Sequence, residues 1–508
     1  MGHLRPPTAD DLRRAGERDH LDLSLEECET LAPFAAALLE LLDVVEELPD
    51  VDPPVRYRRD PGRRPTREED PHNAFVRVLR IEGATSGPLS GKRVGVKDCL
   101  AVAGVLMTNG SRTFAYTPPV DAVVVERILD AGGTIVGMLN LDDFSGSGYG
   151  VTSVFGPARN PLRPTHSAGG SSGGPAAAVA AGLVDVALGV DTGGSIRIPA
   201  AACGVVGLKA THGLVPSFGL TYMDHTLDHV GPLARSVRAA AELLAVIAGE
   251  DWRDPQWVRG LRLDDFVAGV DEGAAGLRVG VIEESLDDSV CEPSVLRGVE
   301  AAAEALRASG AQVQRVSIPL WNTGFAIWAG VFLAGVPLML RSNGMGSGHF
   351  GYVDVGRVHA AGLVRKHEAH LLPPTVKLAL LVNAYLDERY QGVPLARAQN
   401  QRIALRRALD SALERVDVLL TPTVPRVASR LPEGRITEVE ALSMMVAETV
   451  LTSPLNATGH PALAVPSGAG DKGLPTSVQV IGRRWEDRRV LAAGAAVETQ
   501  LGLRLHEA

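Results

Sequence analysis

Two glycine- and serine-rich turns, separated by one short helix and one short strand, constrain this chain more than any other feature. GGSSGG (Gly169–Gly174) is followed by PAAAVAAGLVDVALGVD and then by TGGSIRIPAAACG. A glycine-serine run alone reads as a flexible linker. Its neighbours argue otherwise: Pro175 to Ala181 is an alanine-rich helix with proline in its first turn, Gly182 suits the C-terminal cap, and Leu183 to Val190 reads as a buried strand. The helix climbs roughly 12 to 15 Å at about 1.5 Å per residue, and the strand returns over it at about 3.3 Å per residue. Strand end therefore meets helix start. Ser171 and Ser195, 24 positions apart, come side by side in turns whose backbone amides are exposed.

A hydroxyl that attacks a carbonyl must lose its proton as the bond forms, so a base is needed. The histidines nearest in sequence, His166, His212, His225 and His229, stand in no recognisable triad context. The chain has six lysines against 44 arginines, and one lysine, Lys97, ends the apolar strand Val94-Gly95-Val96-Lys97-Asp98. Burial there would disfavour the ammonium and lower its pKa toward a range useful to a base. The alternative is a partly buried ion pair with Asp98. The two serine turns tip the balance toward catalysis, and the turn Asp191-Thr192-Gly193-Gly194-Ser195 supplies successive amides for an oxyanion hole.

Around this centre, strand-like runs alternate with helical ones: KRVGVKD, AVVVERILDAG, GTIVGML, then LRVGVIE, PSVLRGVEAAAEALRAS, AQVQRVSI, VDVLLTP and TSVQVIG. The alternation predicts an α/β fold, a mixed and largely parallel twisted sheet covered by helices. Residues 1–72 read as an N-terminal helical layer plus connector, and 73–508 as the main domain. Thr8-x-x-Asp11 and Ser24-x-x-Glu27 resemble capping boxes. The proline- and arginine-rich stretch after them reads as an extended surface connector. A net charge of −10 argues against nucleic acid or an anionic membrane as partner. Four scattered cysteines give neither a disulfide framework nor a zinc site. The charged first twenty residues lack an apolar export core, so a reducing cytoplasm is expected. The apolar run Phe325–Leu340 is shorter than the roughly 20 residues a bilayer needs and reads as a helix near a pocket.

GVKD, GGSSGG and GVDTGGSIRIPAAACGVVGLK resemble, in order and spacing, the amidase signature hydrolases. NGSRTF, RNPLRPTHSAGGSSGG, VDVLLTPTVP, GHPALAVPSG and GLPTSVQVIGRR extend the likeness across about residues 73 to 500. The resemblance implies that Ser195 is the nucleophile, Ser171 a bridging serine on a cis peptide, and Lys97 the terminal base. Thr192, Gly193, Gly194 and Ser195 would form the oxyanion hole. It implies an amide hydrolase without cofactor or metal, acting on a small carboxamide through an acyl-enzyme and most like bacterial aryl and alkyl amidases. By analogy the N-terminal helices pair two copies into a homodimer. Pro175, and Ala210 after GLK, depart from the family's usual residues.

For the substrate pocket, the candidates are Phe144, Tyr149, Gly169, Gly170, Phe325 and Trp328, with Phe332 beside them; core packing is the competing role for the aromatics. Carbamates, hydrazides, anilides and esters share the intermediate, so the triad does not exclude them. The ammonia-releasing chain of a glutamine-dependent amidotransferase is the rival of another class, although SIRIP replaces its usual SIRQP. GxSxG at Gly170–Gly174 would instead make Ser172 a nucleophile, but prolines stand where its strand is needed. Cys203 lies in an apolar run that suits a structural thiol. His367-Glu-Ala-His370 misses the zinc spacing.

Overall fold

A computed structural model describes residues 4–49, 51–254, 256, 258–347, 351–434, 437, 439, 440, 442, 443, 448–470 and 473–502. Two compact units divide at Pro54.

The first unit holds the helices Ala9–Arg18 and Leu25–Glu46, each opened by the capping box expected from its sequence. The Thr8 hydroxyl accepts from the Asp11 amide at 3.2 Å, and the Asp11 carboxylate accepts from the Thr8 amide at 2.9 Å. Ser24 and Glu27 repeat the exchange. On the long helix Phe34, Leu38, Leu41 and Val45 stand at alternating spacings of four and three and are largely exposed, Phe34 at 70%, and Leu48, just past its end, is exposed too.

The second unit starts at Val55, earlier than the expected boundary after residue 72. The connector is extended, as its prolines require, but its charges anchor it. Arg56 and the Tyr57 hydroxyl both bind Asp130 at 2.7 Å, Arg59 pairs with Asp121, and Arg63 exchanges backbone hydrogen bonds with Val78.

Eleven described strands form one mixed sheet: β1 (Phe75–Glu82), β2 (Arg93–Lys97), β3 (Thr134–Leu139), β4 (Val186–Asp191), β5 (Val206–Lys209), β6 (His229–Ala234), β7 (Arg278–Ile282), β8 (Gln312–Val316), β9 (Val418–Pro422), β10 (Ala462–Ala469) and β11 (Pro475–Gly482). The order is β1-β3-β2-β4-β6-β5-β10-β11-β9-β7-β8. The β3-β2-β4 and β9-β7-β8 groups are parallel; antiparallel pairs join them. The central strands are covered on both faces, and the faces differ. Val186, Leu188, Val190, Leu463 and Val465 enter the main core, beneath the helices Val237–Ile247, Pro293–Ala308 and Asp487–Leu501. Ala187 and Ala464 face the other way, onto Ala176–Val179, Ile196 and Ala200. Small residues at every second position let the serine turns lie close to the sheet. A methyl at Gly189 would fall 2.5 Å from Leu233 and 2.9 Å from Ile196.

The apolar run becomes the helix Gly324–Arg341, preceded by a short turn from Pro319. Those 23 residues are long and apolar enough to cross a membrane by length and composition alone. Several of the helix's side chains line two cavities, and 33% of its most apolar window is buried.

Candidate active site

Lys97 ends β2 completely buried, where its neighbours on the sheet are apolar. Its Nζ lies 2.7 Å from Ser171 Oγ and 3.4 Å from the Val190 carbonyl. The alternative pair with Asp98 does not form: the Asp98 carboxylate accepts instead from the amide and hydroxyl of Thr108. Among the described residues Lys97 has no ion-pair partner. Burial lowers its pKa below the ordinary lysine value, against the weaker pull of Asp142, Asp191 and Asp228. A neutral amine bonded to a hydroxyl is what that environment favours.

The Gly170–Ser171 peptide is cis. The Ser172 amide donates to the Ser195 carbonyl at 3.2 Å, so the two serine turns are joined backbone to backbone. Ser172 itself is turned inward, its Oγ donating to the Val190 carbonyl at 3.2 Å and accepting from the Val190 amide at 3.3 Å. That binds it to β4, away from any reacting group. Cys203 is fully buried, its thiol pushed well above the ordinary pKa by burial. His367 and His370 lie at the surface of their segment, apart from this site.

The turn 191–197 is organised by a buried ion pair that sequence reasoning passed over. Arg197 and Asp191 are both wholly inaccessible and meet at 3.0 Å. Burial alone would raise the Asp191 carboxyl; the charge and hydrogen bonds of Arg197, with Asn456, outweigh it and hold the pKa at about 2. Arg197 also reaches the Thr452 carbonyl, Gln479 and Asn456. Arg197→Met would leave a buried carboxylate without its counter-charge, so we expect the mutant to lose about 3 to 5 kcal/mol of stability, read by urea titration. A loss below about 1 kcal/mol would mean that the pair does not organise the turn.

This pair changes the expected oxyanion hole. The Gly194 amide donates to Asp191 Oδ1 at 2.7 Å and is therefore engaged inside the protein, not free for substrate. Gly194 has φ +134°, a conformation that suits glycine. The flanking peptides are fixed through their carbonyls: Thr192 accepts from Trp328 Nε1 at 2.9 Å, Gly193 from Thr452 at 2.7 Å, and Gly194 from the Ile198 amide at 2.7 Å. Planarity then sets the direction of each following N–H. The amides of Gly193 and Ser195 have no acceptor among the described residues, and both residues line a cavity. Thr192 lines it too, its hydroxyl donating to the buried Asp228 at 2.6 Å. Burial raises the Asp228 carboxyl to about 7.

That cavity, about 300 Å³, has Ser195 in its wall and is otherwise lined largely by Ser145, Met223, Leu333, Leu378, Val382 and the stacked Phe325, Trp328 and Phe332. Of the aromatics considered for a substrate pocket, Phe325 and Trp328 line this cavity and Phe144 and Tyr149 do not. Phe144 faces a second cavity, and Tyr149, with Gly169, lines a third while its hydroxyl donates to the Arg430 carbonyl at 2.9 Å. Gly170 belongs to the supporting layer, its amide bound to the Gly148 carbonyl. Met223, Leu378 and Val382 come from segments with no sequence signal for a pocket, whereas Asp191 and Arg197 were visible as two charges six apart in an apolar stretch.

The amidase family model matches residues 75–491. An enantioselective amidase of Rhodococcus rhodochrous is 37% identical over 99% of this chain and 97% of its own length. A glutamyl-tRNA(Gln) amidotransferase subunit of Synechococcus sp. (strain CC9902) is 40% identical over 82% and 84%. The crystal structure of the corresponding glutamyl-tRNA(Gln) amidotransferase subunit from Thermotoga maritima superposes with a TM-score of 0.69 at 35% identity, over 85% of this chain and 88% of that one. Matched over most of its main domain, and alike to one member from the N-terminal helices onward, this chain belongs to the amidase signature family.

Proposed function

We propose that this protein is a free-standing amide hydrolase that cleaves aryl or alkyl carboxamides to the acid and ammonia through an acyl-enzyme. The observation that carries the reading is the 2.7 Å contact between the buried Lys97 amine and Ser171, beside the turn that presents Ser195 to an apolar cavity. Ser195 Oγ attacks the carbonyl carbon while its proton passes to Ser171, whose own proton passes to neutral Lys97. The Gly193 and Ser195 amides receive the developing oxyanion. Collapse expels the amine, which takes the proton back through the relay, and water deacylates Ser195 by the same route. Carbamates, hydrazides, anilides and esters would follow it too.

The cavity supports this reading over that of a glutamine-dependent amidotransferase chain. Glutamine brings an ammonium and a carboxylate, which need buried counter-charges. Among the described lining residues none is charged. Likeness to the Rhodococcus amidase also runs through the N-terminal helices. Their exposed stripe at Phe34, Leu38, Leu41 and Val45 repeats at coiled-coil spacing, which fits pairing with the same helix of a second copy. Four reduced, buried cysteines fit a cytoplasmic setting.

The purified chain should release ammonia from benzamide and from short alkanamides without tRNA, ATP or a partner protein, and sediment as a homodimer. Turnover of glutamine in preference to benzamide would reverse the assignment.

A further inference from the structure

Two long helices run past the catalytic cavity into a second one. Phe325, Trp328 and Phe332 of the helix Gly324–Arg341 line the first, and Val336, Met339 and Leu340 of the same helix line the second. The helix Pro374–Tyr390 does likewise, giving Leu378 and Val382 to the first and Val376 and Leu380 to the second. Of the residues that line the two cavities, Met223 is common to both. It packs with Val336 and Ala379 as a small cluster between them. A methionine is the unbranched, rotatable side chain best suited to yield to a ligand.

The second cavity, about 100 Å³, differs in character. Its wall includes Asn109, 2% exposed, whose side-chain oxygen has no hydrogen-bond partner among the described residues. Arg341, Arg357 and Arg365 also border it. A buried acceptor left without a donor is costly and marks a place where a ligand can supply one.

We propose that the second cavity is a distal subsite for the acyl group, reached past Met223, and that it favours an acyl chain ending in a second primary carboxamide. Such an end offers N–H to the Asn109 oxygen and a carbonyl to a guanidinium, while the apolar stem fills the catalytic cavity. The inference rests on the amide-hydrolase reading, and deepens it to α,ω-diamides.

The test compares kcat/KM for three substrates: a short alkanamide, a long alkanamide, and a diamide of the same length as the long one. In the wild-type protein the diamide should exceed the long alkanamide by roughly tenfold. Met223→Ala should raise the ratio of either long substrate to the short one by a similar factor, and Leu380→Trp, which adds bulk to the wall of the second cavity, should lower it. Asn109→Gly, which suits the φ of +52° at that position, should bring the diamide and the long alkanamide to equality. Because Met223→Ala opens a packed site, Ser195→Ala titrated with the diamide by calorimetry gives a second readout, its affinity falling when Asn109→Gly is added. Ratios that ignore both Met223 and Leu380, or a diamide preference that survives Asn109→Gly, would overturn the subsite. Failure to hydrolyse any of the three would sink the amidase reading instead.

Discussion

Ser195→Ala is expected to lower kcat for amide hydrolysis by about 10⁴- to 10⁶-fold, leaving only what the cavity and the oxyanion donors supply. The size follows from what the residue does in the proposed cycle: it is the atom that bonds to the acyl carbon, and no neighbour can substitute. Ser171 is hydrogen-bonded to Lys97, and Ser172 is bound to both backbone groups of Val190. Stability should change by less than about 0.5 kcal/mol, because no described hydrogen bond runs through the Ser195 hydroxyl. Ser172→Ala provides the opposite control. It removes two bonds between the serine turn and β4, so it should cost about 1 to 3 kcal/mol of stability while retaining an intact nucleophile. Intact-mass measurement with an activated ester separates the two: the wild-type protein and Ser172→Ala should gain the acyl mass, and Ser195→Ala should not. Acylation of Ser195→Ala at the wild-type rate would remove Ser195 from the mechanism.

What was legible in the sequence follows the physics of each feature. The helix and strand between the two serine turns were readable because proline, an alanine run and a glycine cap leave few alternatives, and the structure has them as Gly173–Ala180 and β4. Four strands escaped notice. β5 is only four residues long, β6 and β10 contain proline and glycine yet are fully or nearly fully buried, and β1 was absorbed into the approach to the main domain. Within the site, Lys97 and Ser171 were recoverable because a lone lysine at the end of an apolar strand is chemically conspicuous. The direction of an amide is not. The Gly194 N–H turns to Asp191 because Arg197, Asn456 and Thr452 hold that turn from 255 to 265 residues away or from six, and such tertiary partners leave no local mark. The same holds for the cavity: Phe325 and Trp328 were visible as aromatics on one helix, whereas Phe144, equally aromatic, faces another space.

Lys97→Met tests the base, and its effect on stability should run opposite to its effect on rate. Burial keeps the folded-state pKa of Lys97 below the ordinary lysine value. Between those two values the unfolded chain binds a proton that the native protein lacks, so stability rises with pH across the window, and at neutral pH the wild-type fold carries that deficit. Methionine fills similar volume with no proton to lose. Lys97→Met should therefore lower kcat by about 10²- to 10⁴-fold while raising the denaturation midpoint at pH 7, with the gain shrinking as pH climbs toward 10.5, the ordinary lysine value. Lys209, pushed down to about 7 by burial, responds in the same sense; it is present in both proteins and cancels in the difference. Amide hydrolysis by the wild-type protein should rise with pH as Lys97 deprotonates, then level off, and the mutant's residual rate should lose that limb. If the mutant were instead less stable at pH 7 by a margin indifferent to pH, Lys97 would be charged in the fold, and an ammonium hydrogen-bonded to Ser171 has no lone pair with which to accept the proton.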